Sequence, residues 1–265
     1  MNRSCRGARF KPCNEWLRWT AASSATSNRE RESQSSSESV IFIHGIPTWG
    51  YLWHGVLPAL PQQYRLLTPD LIGFGYSDKG DRFDRSIQAQ AVMLERWMDA
   101  LKIEAATVIA HDIGGGVALR LATLRPGRVS KLCLLNTVCY DSWPIEAMLQ
   151  LGHPEARRKL SASSMLTLLR QALKQGFASS PDAALLDGLL APYATEVGKL
   201  SLIRNAAALN TNLTTEITPL LPSLAMPTLI LWGEDDVFQS VRFGERLARD
   251  IPKAQLMRIQ HAGIS

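Results

Sequence analysis

Residues 107–116, Thr107-Val108-Ile109-Ala110-His111-Asp112-Ile113-Gly114-Gly115-Gly116, constrain this chain more than any other segment. The first four are apolar or β-branched, as in a strand buried on both faces. Val117, Leu121 and Leu124 follow at helical spacing. Strand and helix therefore meet across a very short turn. The small residues after the turn let the helix lie close against the strand. A glycine run also occurs in phosphate loops, but no Lys-Ser/Thr follows and no GxGxxG is present, so close packing explains it better. The residue held at the tip of the turn is Asp112. A carboxylate with an unperturbed pKa of ~3.9 is ionised at pH 7 and needs no base to act as a nucleophile.

The same alternation extends along most of the chain. Val40–Ile43 reads as a strand ending at His44-Gly45, residues 50–60 as a helix, and Arg65–Thr68 as a strand ending at Pro69-Asp70. Ser86 is a good N-cap for a helix whose Ile87, Ala91, Leu94, Met98 and Leu101 form one buried face, with Trp97 packing beside it. Lys131–Asn136 is a further strand. Residues 141–222 break the alternation with helix-like pieces (Met165–Leu173, Ala183–Leu190) and Pro144, Pro154, Pro181 and Pro192. Thr228–Trp232, a helix over 240–250 and Gln255–Ile259 then resume it. This predicts an α/β fold with a doubly wound, mostly parallel sheet. Residues 40–140 and 223–265 form its core and 141–222 a helical cap. Sites in such sheets lie at the carboxyl ends of the strands, where His44-Gly45, Asp112, Asn136 and Asp236 fall.

Residues 1–39 differ in composition. They carry seven Lys/Arg and four Glu, with serine runs, and the expectation is a disordered or mis-framed tail; the arginine- and serine-rich beginning also fits a transit peptide. The segment holds +3 of the net charge of +5, so the remainder gives little support for nucleic-acid binding. No apolar run reaches the ~18–20 residues of a membrane span. Cys5, Cys13, Cys133 and Cys139 form no metal-binding pattern and read as free thiols of a cytoplasmic, reducing compartment, with no metal or cofactor expected.

Four segments carry a resemblance to the α/β-hydrolase superfamily, in its haloalkane dehalogenase and epoxide hydrolase branch. They are His44-Gly45-Ile46-Pro47-Thr48-Trp49-Gly50-Tyr51-Leu52-Trp53, Pro69–Lys79, the Asp112 turn, and Leu231-Trp232-Gly233-Glu234-Asp235-Asp236. The resemblance covers residues 40–265 and implies a nucleophile elbow. On this reading Asp112 attacks an alkyl carbon of a small apolar organic substrate and forms an alkyl ester. A histidine oriented by Asp236 then activates water to hydrolyse it, with the backbone N–H groups of Ile46 and Ile113 as oxyanion donors. The absence of serine at the elbow argues against an esterase.

Three departures stand out. Haloalkane dehalogenases usually place Trp directly after the nucleophile, and often Asn at the position of Ile46, to hold the leaving halide; here these are Ile113 and Ile46, leaving Trp143 as a spare donor. Epoxide hydrolases use cap tyrosines as acids, for which Tyr193 is the candidate, with Tyr140 just before the cap. The family histidine normally ends an Ala-Gly-His wording, yet this chain reads His261-Ala262-Gly263-Ile264, with isoleucine at the expected position and His261 three residues early. Both ends read as truncation or frame change around a sound centre. His44 and His111 are expected to shape the turns, Asp70 and Asp78 to anchor loops, Asp235 to be solvated, and Asn136 to be a weak orienter. The open readings are a dehalogenase-like hydrolase, an epoxide hydrolase, and a hydrolase-fold chain that is impaired or non-catalytic.

Overall fold

The computed structural model describes residues 38–264; what the sequence suggests for residues 1–37, including Cys5 and Cys13, lies outside them. Six strands form one sheet: β1 (Ser39–Ile43), β2 (Arg65–Leu67), β3 (Ala106–His111), β4 (Val129–Leu135), β5 (Thr228–Gly233) and β6 (Ala254–Ile259). Their spatial order is β2-β1-β3-β4-β5-β6, and every adjacent pair is parallel. The expected doubly wound parallel sheet is therefore present. β1 begins at Ser39, so the first strand takes the last residue assigned to the tail. Ile41, Ile43, Val108, Ala110, Leu134 and Ile230 are fully buried, as the absence of polar alternation in these strands requires.

Strand order reverses between β1 and β3. β2 lies on one side of β1, whereas every later strand is added on the other side. Such a switch point opens a crevice at the carboxyl ends of the two strands. His44-Gly45-Ile46 leaves β1 into this crevice and Asp112 leaves β3 into it.

Helices cover both faces. α1 (Ile87–Ala100) starts at Ser86, whose side chain accepts the Ala89 N–H at 3.2 Å, and buries Ile87, Gln90, Ala91, Leu94 and Met98. It packs on α2 (Ile113–Leu124), which is buried from Ile113 to Ala122. The segment expected as a helix over 50–60 forms instead two short 3-10 turns, Gly50–Trp53 and Leu57–Ala59. Pro58 explains the break, because proline cannot donate the bond that would continue a helix through it.

Between β4 and β5 the chain forms α3 (Glu146–Gly152), α4 (Pro154–Lys159), α5 (Ala162–Gln175), α6 (Ala183–Leu190), α7 (Glu196–Ala207) and α8 (Asn212–Thr215). A buried polar joint ties α7 to the loop after β2. Arg85 donates to Ser201 Oγ and Asn205 Oδ1, both at 2.8 Å, while Ser201 Oγ and Asn205 Nδ2 donate to the Gly73 carbonyl. α9 (Val241–Asp250) then leads to β6.

Candidate active site

Asp112 is the N-cap of α2, with φ 51° and ψ −124°. A non-glycine residue at positive φ is strained, and it persists only where the surrounding packing enforces it. Here the packing is explicit. A Cβ at Gly114 would overlap the carbonyls of Ile43 and His44, and one at Gly45 would overlap the Asp112 side chain. Glycine at both positions lets the β1 loop press against the elbow. As a result the Ile46 N–H donates to Asp112 Oδ1 at 2.8 Å, and the Ile113 N–H also bonds the carboxylate. His44 holds the β1 loop: its Nε2 accepts the Leu71 N–H at 3.0 Å, so Nδ1 carries the proton and donates to the Gly45 carbonyl at 2.9 Å.

Burial dominates the electrostatics of Asp112. Desolvation pushes its pKa up to about 7, the Ile46 and Ile113 N–H groups pull it back, and the nearby Asp236 charge raises it further. The nucleophile candidate is thus divided between its ionised and neutral forms near neutral pH.

Asp236 lies in the neighbourhood of Asp112, but its carboxylate holds no histidine. Oδ2 accepts Asn136 Nδ2 at 2.6 Å, and Oδ1 accepts the N–H groups of Phe238 and Gln239 at 2.7 and 2.9 Å. Asn136 also accepts the Gly233 N–H at 3.1 Å, which locks the ends of β4 and β5 together.

His261 must be corrected as the candidate base. Its side chain is 94% exposed, and its nearest acid is Asp235, 4.0 Å away, rather than Asp236. A left-handed turn (φ 56°) directs the backbone at His261, and the imidazole stands in solvent. Ile264, three residues on, lines the cavity beside Asp112. Its carbonyl accepts His111 Nε2 at 2.6 Å. Burial pushes the His111 pKa down to about 4, so the ring is neutral at pH 7, and its Nδ1 has no partner.

The two leaving-group candidates are also corrected. Trp143 lines the cavity, but its indole N–H donates to Thr214 Oγ1 at 2.7 Å and is not available to a substrate. Tyr193 is fully buried outside the cavity, with its hydroxyl donating to the Thr48 carbonyl at 3.4 Å. Proline at 192 folds a 3-10 turn that drives this tyrosine inward. Tyr140 donates to Asp250 at 2.7 Å, again away from Asp112.

The cavity above Asp112 has a volume of about 150 Å³. A cavity of that size accepts a benzene-sized guest. It is lined by Ile46, Ile113 and Val138, by Met148 of α3 with Leu169 and Leu173 of α5, and by Phe238, Gln239 and Ile264 from the loops after β5 and β6. Among the described residues no cluster of His, Cys, Asp and Glu is able to hold a metal, and no helix is long and apolar enough to cross a membrane. Sequence reasoning missed Gln239, which sits in an irregular loop with no periodicity or motif to mark it.

A parallel sheet with a strained elbow at its switch point, roofed by helices, defines the α/β-hydrolase class of fold. The chain belongs to the α/β hydrolase fold family, whose model matches residues 38–263. Among its relatives, a cis-3-alkyl-4-alkyloxetan-2-one decarboxylase of Xanthomonas campestris is 28% identical over 250 residues, covering 87% of this chain and 83% of that one. An α/β hydrolase fold protein from Burkholderia ambifaria superposes with a TM-score of 0.81 at 28% identity, over 86% of this chain and 84% of that one. A haloalkane dehalogenase from Bradyrhizobium elkani shares the fold, with a TM-score of 0.72 at 22% identity, over 87% and 84% of the two chains.

Proposed function

We propose that Asp112 attacks a saturated carbon of a small, largely apolar electrophile and forms an alkyl ester, and that the electrophile is a strained four-membered lactone, an oxetan-2-one. The observation that carries this reading is the leaving-group side of the site. Ile46 and Ile113 flank the nucleophile without side-chain donors, the Trp143 N–H is taken by Thr214, and Tyr193 lies outside the cavity, so the buried lining offers no acid and, as a free donor, only the neutral Gln239 amide. An epoxide leaves as an alkoxide, which needs an acid. A halide leaves as a free ion, which an apolar cavity solvates poorly.

A lactone leaves as a carboxylate still tethered to the substrate, which needs no acid and is served by a neutral amide donor. The Asp112 carboxylate attacks ring carbon C4, and the C4–O1 bond breaks with its electron pair going to oxygen, so the substrate now carries a carboxylate. The C3–carboxyl bond then breaks. Its electrons form the C3=C4 double bond as the C4–Asp112 bond breaks and its pair returns to the aspartate. The products are carbon dioxide and an alkene. The negative charge travels from Asp112 to the substrate and back. No proton is moved and no water is consumed, so an isoleucine at position 264 is no obstacle. The name of the Xanthomonas relative supports the same substrate class.

A haloalkane would react differently. Asp112 would be alkylated once, the Ile46 and Ile113 N–H groups would stand ready as oxyanion donors, and no histidine oriented by Asp236 would prepare the water.

The test is to incubate the protein separately with a short-chain cis-3,4-dialkyloxetan-2-one, a bromoalkane and an epoxide, measuring carbon dioxide, alkene and intact protein mass. The expected result is multiple-turnover carbon dioxide and alkene from the lactone, and at most one stable adduct from the bromoalkane. Asp112→Asn should abolish both. Sustained bromide or diol release without lactone turnover refutes the reading.

A further inference from the structure

One buried polar side chain of the cavity lining is left over from every interaction above. Gln239 is 2% exposed and lines the cavity that Asp112 lines. Its backbone is fixed on both sides. The N–H donates to Asp236 Oδ1 at 2.9 Å, and the carbonyl accepts the Trp232 indole N–H at 2.9 Å. Phe238 donates to the same Asp236 oxygen at 2.7 Å, so the acid organises the whole loop that presents Gln239. The carboxamide itself makes no hydrogen bond, and its Oε1 is buried without a partner.

Buried side-chain amides are nearly always paired, and an exception calls for an explanation. The other polar groups of the wall are largely accounted for. Asp112 holds the Ile46 N–H, Trp143 holds Thr214, and Thr48 bonds Gly45. The second unpaired atom, His111 Nδ1, is an acceptor only, because Nε2 donates to the Ile264 carbonyl. Gln175 also lines the cavity with an unbonded carboxamide, but it is exposed to solvent, so Gln239 is the buried unpaired side chain of this lining that carries N–H donors.

We propose that the Gln239 carboxamide is the specificity-determining group of this cavity, donating its N–H to the acyl oxygen of a substrate whose reacting carbon meets Asp112. This rests on the lactone reading given above. The acyl oxygens become a full carboxylate when the ring opens, so a donor placed there is worth more in the transition state than in the ground state. Asp236 acts through the loop as a positioning residue. It presents Gln239 in this chain, rather than orienting a histidine.

Two variants test this, Gln239→Leu and Gln239→Met, both of which remove an unpaired buried amide and so leave the fold intact. The first arm measures carbon dioxide release from a short-chain cis-3,4-dialkyloxetan-2-one against the alkylation rate with a bromoalkane of matched size. Lactone turnover should fall at least tenfold while bromoalkane alkylation stays within threefold. The reverse pattern would mean that the amide holds a leaving halide and would overturn the proposal. The second arm does not depend on Asp112 chemistry. In an Asp112→Asn background, cyclopentanone and cyclopentane are titrated by calorimetry or NMR. Cyclopentanone should bind at least fivefold more weakly when Gln239 is replaced, and cyclopentane should be unaffected. Equal cyclopentanone affinity in all variants overturns the proposal. If wild-type protein reacts with no electrophile, the nucleophile reading fails, and the cyclopentanone arm still decides the role of Gln239.

Discussion

Replacing the nucleophile candidate should make this protein more stable, and only at the pH where the nucleophile is charged. Asp112 has a folded-state pKa pushed up to about 7, mainly by desolvation. In the unfolded chain the same carboxyl titrates near ~3.9. Between these values the folded state binds the extra proton, so the Asp112 contribution to stability falls as pH rises from about 4 to about 7. The gap of about three pH units corresponds to about 4 kcal/mol at ~1.36 kcal/mol per unit. An asparagine at 112 carries no such cost. It keeps an oxygen to accept the Ile46 N–H, now at 2.8 Å from Asp112, but it loses a charge-assisted bond and adds an N–H pair needing partners, at roughly 1–2 kcal/mol.

At pH 8, Asp112→Asn should therefore exceed wild type by about 2–3 kcal/mol, whereas at pH 4 wild type should equal or slightly exceed the variant. Urea denaturation at both pH values isolates the quantity of interest, the change in the stability gap of Asp112 with its coupled neighbour Asp236, because titrating groups that do not interact with Asp112 cancel between the two proteins. In a thermal scan the same change is a relative shift of roughly 10 °C for a chain of this size. A gap that stays flat from pH 4 to pH 8, or that favours wild type at pH 8, would refute the account of Asp112 as a desolvated carboxylate stabilised less than water would stabilise it.

Three further outcomes follow from the same geometry. Alkylation of Asp112 by a bromoalkane, followed by intact mass, should rise with pH, reach half its plateau near pH 7 and fall to about one hundredth of it two units lower, since only the ionised form attacks. Ile264→His places an imidazole in the cavity beside the elbow, so the stable bromoalkane adduct should become a hydrolysed intermediate with continuing bromide release; an adduct that persists unchanged would show that residue 264 does not reach the ester. Trp143→Phe should lower stability by about 1–2 kcal/mol by leaving Thr214 Oγ1 without its indole donor, yet leave the alkylation rate within about twofold, because the indole N–H points away from the reaction.

Most of the sheet and its elbow were legible from local pattern alone. β3, the turn and α2 are adjacent in sequence, so the apolar run, the tip residue and the small residues encode their geometry without help from distant contacts. The 50–60 segment misled because its apolar spacing resembles a helix, while Pro58 and the packing around Trp53 divide it into two 3-10 turns. Tyr193 and Trp143 misled for a different reason. Residue type announces a donor, but only the folded chain decides whether the donor is already occupied, and both are occupied by partners more than 70 residues away in sequence.

The end of β6 shows the same limit at the scale of a few residues. His261 and Ile264 are three positions apart, a difference that a long loop absorbs, yet the strand ends at Ile259 and the left-handed turn at His261 leaves no slack. Isoleucine takes the cavity position and imidazole takes solvent. Asp236 then has no histidine to orient, and its second oxygen serves the Phe238 and Gln239 backbone. An acid that in the implied triad would hold a base is here committed to shaping the wall. This favours chemistry in which the nucleophile recovers its charge from the substrate over chemistry in which water must be activated to release it.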